Sequence, residues 1–478
     1  MAREFVHLHL HSQYSLLDGA IRFEELFPLL EAYRMRAVAL TDHGNMFGAI
    51  EFYHEAQKHG VKPILGCEVY VAPKSRFERE GDPYHMILLA MDAEGYRNLS
   101  HLVSLGYLEG FYHKPRIDWE LLERHHQGLI AMTSCLKGEI PSLLLQGRYE
   151  EAKERAGRLK ELFDDGRFYL ELQDNGLEEQ KRVNEGLVRL SRDVGVKLVA
   201  SNDCHYLRRS DAMLHDVLLC IQTGKNLRDP KRLRFSSDQF HLRPPEEMEA
   251  LFGHVPEALS NTLEVAEQCH LDWNFDRVIF PRFEQMTDRE AYETLYRATL
   301  EGCRRRYGKI TRAVRERIAY EMRIIKEKNF AHYFLVVADM TRRAPRSCGR
   351  GSAAASIVSY ALGITHVDPI EHRLFFERFL NPGRMDPPDI DVDFAWDERD
   401  EVVDYAFATY GNRRAAMVAN HNTYGARSAI REVAKAFGLS EAEISRVTRP
   451  HIQITGVITT HPSNVKSSPA FQSPSLNP

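Results

Sequence analysis

Short apolar runs alternate with amphipathic stretches through the first half of the chain, and this alternation most restricts its fold. Ala37–Leu40 (AVAL) runs into TDHGN, Ile64–Leu65 precedes GCE, Leu129–Met132 (LIAM) precedes TSC, and Lys197–Ala200 (KLVA) precedes SNDCH. Between them, RFEELFPLLEAYRM and RYEEAKERAGRLKELF space their apolar residues three and four apart, the helical period. Repeated strand–helix alternation predicts parallel strands in an α/β architecture, as in a barrel. These runs end in polar residues of metal-binding type: His43, Glu68, Cys135, and Asp203 with His205. Barrel enzymes place their chemistry at such strand ends. His85 is the exception, since it opens its run, HMILLAM.

The N-terminus reads FVHLHLHSQYSLLDG. In an extended segment His7, His9 and His11 share one face, and Val6, Leu8 and Leu10 the other. Three buried imidazoles need a partner, and a metal ion is a natural one. A surface histidine stripe is the alternative. Together His9, His11, Asp18, His43, Glu68, His85, Cys135, Asp203 and His205 offer more donors than one tetrahedral ion takes. They suit two or three ions with bridging carboxylates, the usual apparatus of phosphoester hydrolysis.

Composition limits little else. The chain has 478 residues, enough for two or three domains, and a net charge of −5 that does not advertise nucleic-acid binding. Seven cysteines without a CxxC pair disfavour a disulfide framework and fit a reducing cytoplasm. No long apolar run suggests a membrane span, and no secretory signal is evident.

The motifs HLHLHSQYSLLDG, LTDHGN, GCEVYVAP, YHMILLA, TSCLKGEIP and SNDCHYL resemble, in order, those of the PHP domain. The variant is the one that opens bacterial DNA polymerase III alpha subunits. The resemblance implies a distorted (β/α) barrel over residues 1–272. It also implies a trinuclear site whose ligands are the nine residues just named, holding Zn²⁺ or Mn²⁺, with His7 in support. A competent residue stands at all nine positions, which implies a catalytic version.

A second chemistry lies further on. NFDRVIFPRFEQMTDREAYE reads as an extended linker followed by a helix start. CRRRYGKITRAVRER, with seven Lys/Arg and one acid, reads as a solvated helix face, or alternatively as a phosphate-backbone contact. Gly349-Arg350-Gly351-Ser352 then precedes the Ala-rich helical run AAASIVSYALG. Such a turn lets backbone N–H groups approach a phosphate. In PDIDVDF, Asp389, Asp391 and Asp393 alternate, so three carboxylates share a strand face opposite Ile390, Val392 and Phe394. Repulsion among them calls for a divalent cation.

The order GRGSAA…YALGIT…FERFLNP…PDIDVDF is similar to the palm of the C-family replicative polymerases, and also to the error-prone branch of that family. The resemblance implies that Asp391 and Asp393 bind Mg²⁺ for nucleotidyl transfer and that Asp389 is structural. It implies that Gly349, Arg350, Gly351 and Ser352 meet the triphosphate, with Arg378 and Arg384 nearby. Expected partners are primer-template DNA and dNTPs and, for a full-length protein, a sliding clamp and replisome subunits. The resemblance implies a partial palm over 273–425 and the start of a helical thumb over 426–450. The Ser/Pro-rich stretch 451–478 is expected to be disordered. The family's third aspartate does not appear, so this chain is expected not to extend a primer. A free-standing PHP phosphatase and a non-catalytic scaffold are the rival readings.

Overall fold

The computed structural model of the protein describes residues 4–164, 166–273, 279–383, 388–411 and 413–448. It forms two compact units, Met1–Trp273 together with Thr423–Pro478, and Asn274–Asn422.

In the first unit seven strands form one sheet: β1 Ala37–Leu40, β2 Lys62–Val71, β3 Tyr84–Ala90, β4 Arg116–Ile117, β5 Leu129–Met132, β6 Phe168–Gln173 and β7 Lys197–Ser201. Their order is β1-β2-β3-β5-β6-β7, with β4 added to β2. The N-terminal segment bridges the two edge strands. Ala39 of β1 and Thr41 just after it donate backbone N–H bonds to the His7 and Leu10 carbonyls, while Cys204, just past β7, accepts from His11 N–H and donates to the His9 carbonyl. The curled sheet is thereby closed on itself, in keeping with the barrel expected.

Both faces of the sheet are buried. One set of alternating residues, including Leu8, Ala39, Ile64, Ile87, Ile130 and Val199, packs with Val265, Ala266 and Cys269 from the end of one helix. The opposite set, including Val38, Leu40, Leu65, Leu88 and Leu170, packs under flanking helices through Phe27, Phe52, Leu99, Leu159 and Leu187. Burial on both faces is why the strands read as continuous apolar runs.

The expectation of uniformly parallel strands needs one correction. β1–β2, β5–β6 and β6–β7 are parallel, but β3 runs antiparallel to both β2 and β5. Its reversal explains His85. The start of β3 lies at the sheet edge where its neighbours finish, with Tyr70 of β2 opposite His85.

The helix Ala426–Ala436 packs against Ala212–Thr223, with Ala436 beside Val217 and Cys220, and Leu227 N–H donates to the Ala436 carbonyl at 2.9 Å. Arg384 and the stretch 451–478 lie outside the described residues.

The second unit packs helices Asp288–Tyr307, Arg312–Glu327 and Ala331–Thr341 around Leu295, Ile318, Met322, Phe334 and Val358. Within the basic run, Arg312 pairs with Glu316 and Arg317 with Glu321, as on an ion-paired helix face. Strands β8 (Ser347–Arg350) and β9 (Asp391–Phe394) pair antiparallel, Arg350 opposite Asp391. The Ala-rich run is not one helix. Residues Gly351–Ala355 form a tight 3₁₀ turn, and an α-helix restarts at Ile357–Leu362. The break has a cause: buried Glu321 accepts hydrogen bonds from Ser356 Oγ (2.8 Å), Ile357 N (3.0 Å) and Val358 N (3.3 Å), capping the second segment.

Candidate metal centre

The donor side chains come from the ends of separate strands. After β1, the turn TDHGN presents His43. Glu68 lies within β2, His85 opens β3, Cys135 follows β5, and Asp203 and His205 follow β7. Two turns adopt conformations unusual for non-glycine residues, Ser134 at φ 61° and Asp203 at φ 47°. Such backbone costs roughly 1–3 kcal/mol per residue and persists where the surroundings over-determine it.

Three groups of side chains offer donor atoms that lie within 4.8 Å of one another: His11, His43 and His205; His9, His11 and Glu68; and Glu68, His85 and Cys135. His11 and Glu68 each belong to two groups; a carboxylate can bridge two ions, whereas an imidazole nitrogen serves only one. Asp203 Oδ1 lies 3.2 Å from both His9 Nε2 and His11 Nε2. Asp18 Oδ1 is 3.1 Å from His43 Nε2. The structure thus brings all nine expected residues together. His7 is excluded, since its Nε2 donates to the Arg243 carbonyl at 2.8 Å.

Hydrogen bonding sets how these groups face. His9 Nδ1 donates to Glu171 at 2.7 Å, leaving its Nε2 lone pair inward. The Ser15 hydroxyl gives its only proton to Asp42, so at 3.0 Å it accepts from His11 Nδ1. His11 Nε2 therefore also turns a lone pair inward, 3.0 Å from His9 Nε2. Two lone pairs at that distance repel unless a proton or cation lies between them. Asp18 Oδ1 and Asp203 Oδ1 are likewise buried without a well-directed hydrogen-bond partner, and His85 turns Nδ1 toward Glu68 Oε1 (2.9 Å) and Cys135 Sγ (3.7 Å). Nitrogen, oxygen and sulfur atoms converging in this way suit borderline divalent ions.

The electrostatics agree. Burial opposes charge on His9, but Asp203, Glu171 and Glu68 outweigh it and hold its pKa up at about 9. Burial, with His43 and His205 beside it, pushes His11 down to about 3. Burial would raise Glu68, yet His85 and His43 hold it well below the usual carboxylate range. Burial and Glu68 push the Cys135 thiol well up, so a thiolate there calls for a cation.

Sequence reasoning missed two buried carboxylates behind the donors. Glu171 accepts from His9, Gln173 Nε2 (2.9 Å) and Ser201 Oγ. Asp42 accepts from Ser12 N (2.7 Å), Ser12 Oγ (2.8 Å) and Ser15 Oγ (2.7 Å). The available signals were Glu171 inside the apolar strand FYLELQ and Asp42 beside His43.

The centre opens into a cleft of about 530 Å³ lined by Asp18, His43, Glu68, His85, Cys135, Asp203 and His205. Lys114, Lys137 and Arg234 also line it.

The carboxylates of the second unit are arranged differently. Asp389 lies outside β9; Asp391 and Asp393 lie within it. Arg350 spans both, Nη1 3.3 Å from Asp391 Oδ2 and Nε 3.1 Å from Asp393 Oδ1. The repulsion that called for a metal is thus relieved by a guanidinium. Arg350, expected at a triphosphate, here pairs with the carboxylates. Gly349 has a packing reason, since a Cβ there would fall 2.6 Å from the Ile364 carbonyl oxygen. Gly351 takes φ +67°, which favours glycine. Ser352 is exposed, as is Arg378, in the turn Phe376–Arg378.

Comparison with known proteins follows the same division. Residues 7–175 match the PHP domain, and 293–473 the bacterial DNA polymerase III alpha NTPase domain. DNA polymerase III subunit alpha of Treponema pallidum is 42% identical over 463 residues, covering 94% of this chain and 39% of that protein. Its counterpart from Borreliella burgdorferi is 43% identical over 457 residues, covering 93% and 40%. The chain belongs to the bacterial DNA polymerase III alpha family. It spans about two-fifths of the length of these relatives and matches their N-terminal part. Among solved structures, a candidate metal-dependent phosphoesterase from Bifidobacterium adolescentis aligns with 43% of this chain and 89% of that one, at 13% identity and a TM-score of 0.30. Among the described residues no helix is long and apolar enough to cross a membrane.

Proposed function

We propose that this member of the DNA polymerase III alpha family carries a metal-dependent phosphoesterase centre that removes nucleotides from a DNA 3′ end. The observation that carries the reading is the pair of inward-facing lone pairs of His9 and His11, held 3.0 Å apart by Glu171 and Ser15. His9, His11 and Glu68 would hold one ion, Glu68, His85 and Cys135 a second, and His43 and His205, beside Asp18, a third, with Asp203 alongside. Their mixed N, O and S character favours Zn²⁺ or Mn²⁺. Clustered divalent ions supply Lewis-acid charge at a phosphoryl group. The protein's own part is to orient these donors, through Glu171 and Asp42, and to offer Lys114, Lys137 and Arg234 to the anionic substrate.

Residues 273–425 are proposed as a partial palm and 426–450 as the start of a thumb, with Asp391 and Asp393 as Mg²⁺ ligands once Arg350 turns aside. Template-directed synthesis from dNTPs, a sliding clamp and replisome partners belong to the proposal for a full-length protein. A cytoplasmic setting suits seven free cysteines. The purified chain should shorten a labelled single-stranded DNA from its 3′ end in Mn²⁺, and His11→Ala should abolish this while the circular dichroism spectrum is kept. Hydrolysis of a small phosphomonoester with none of DNA would favour a free-standing phosphatase activity instead.

A further inference from the structure

The mouth of the cleft carries groups that the donor cluster does not use. Tyr107 and Phe111 lie at the end of the helix Ala93–Leu108 and in the loop after it, and both line the cleft. Their rings are nearly parallel, 15° apart in plane with centroids 6.0 Å apart, and they are 40% and 57% exposed. Three cations share this rim: Lys114, Lys137 and Arg234. None of the three forms an ion pair among the described residues, although acids outnumber bases in the chain, 68 to 63. Lys114 Nζ sits 4.2 Å above the Tyr70 ring, and that ring meets His85 edge-on at 5.0 Å. Through Tyr70 the cationic rim adjoins the donor cluster directly.

We infer that this rim binds single-stranded nucleic acid. A base stacks on the exposed Phe111–Tyr107 pair, and neighbouring phosphates lie against Lys114, Lys137 and Arg234, so that the terminal phosphodiester reaches the metal-type donors. The inference rests on the phosphoesterase reading and names the residues that seat its substrate. A small phosphomonoester would use the cations and leave the aromatic pair idle. Aromatic planes beside unpaired cations are what a single strand requires, because stacking is sequence-tolerant and the backbone charge needs neutralising.

The test uses the full chain and a 5′-labelled oligothymidylate whose last linkages are phosphorothioates, which resist cleavage. Fluorescence anisotropy should show binding weakened about fivefold or more in Tyr107→Ala/Phe111→Ala, the range for losing one stacked base. Lys114→Gln/Lys137→Gln should flatten the dependence of log K on log salt by about 0.7 for each phosphate left without its cation. Because another part of the chain could also bind DNA, a second measurement locates the site. A 3′-terminal 4-thiothymidine should photo-crosslink within residues 107–114. Crosslinks only elsewhere, with affinity and salt slope unchanged in both variants, would overturn the inference. Displacement of the crosslink by an acidic peptide but not by unlabelled oligothymidylate would also overturn it, in favour of a protein ligand. If the crosslink forms as expected but no metal restores cleavage of an all-phosphodiester strand, the rim stands and the phosphoesterase reading falls. Cleavage with neither crosslink nor variant effect has the opposite meaning.

Discussion

Replacing Glu171 by glutamine isolates the orientation of a single imidazole. Glu171 Oε1 accepts from His9 Nδ1 at 2.7 Å, from Gln173 Nε2 at 2.9 Å and from Ser201 Oγ. Its other oxygen, Oε2, is buried without a partner. A glutamine carbonyl can occupy the first position and keep all three bonds, while the amide takes the second. The fold should therefore survive, and what is lost is the negative charge behind His9. That charge, with Asp203 and Glu68, is what makes His9 a strong base despite its burial. Removing a carboxylate behind a metal-ligating histidine typically weakens affinity 10- to 100-fold, about 1.4–2.7 kcal/mol. Competition for Zn²⁺ against a chromophoric chelator reads this directly, with thermal unfolding of the metal-free protein as the control. Metal affinity within twofold of the parent, in a protein of unchanged melting temperature, would refute the idea that Glu171 prepares His9 for an ion.

Asp42→Ala strands three buried donors, from Ser12 and Ser15, and should cost about 3–5 kcal/mol, seen as a lower melting temperature; a loss below 1 kcal/mol would show that water takes over. In the second unit, Glu321→Ala uncaps the helix Ile357–Leu362, and hydrogen exchange of that peptide should accelerate while the first unit's strands keep their protection. Equal protection in parent and variant would exclude the cap. Arg350→Ala removes the cation from between Asp391 and Asp393, so Fe²⁺-directed backbone cleavage at 391–393 should begin at lower Fe²⁺ concentration. An unchanged threshold would mean that the guanidinium does not compete for these carboxylates.

Much of the first unit was legible because burial on both faces writes a strand as an apolar run with a polar stop. His43, Glu68, Cys135 and Asp203 could be read that way. His85 could not, because strand direction is a pairing property, and only the antiparallel setting of β3 brings its start to the same edge. The roles of Glu171 and Asp42 were hard to read for a related reason: their partners, His9 and Ser15, lie 162 and 27 residues away. The second unit departs from the sequence reading at one point and adds to it at another. AAASIVSYALG has the composition of one helix, yet a carboxylate contributed by Glu321, 35 residues earlier, rewards a break at Ser356. The alternating aspartates gave no sign of their cross-strand neighbour, Arg350, which stands opposite Asp391 and pairs with both Asp391 and Asp393.

Glu68 joins two positions of the proposed centre. Metal content of the full chain, purified without chelators and measured by inductively coupled plasma mass spectrometry, tests it most directly when parent and Glu68→Ala are compared. The parent should carry two or three ions per chain. Glu68→Ala should lose more than one of them, because the side chain joins two of the three groups. A parent content near zero, or a variant that keeps every ion of its parent, would show that no such Glu68-bridged centre forms.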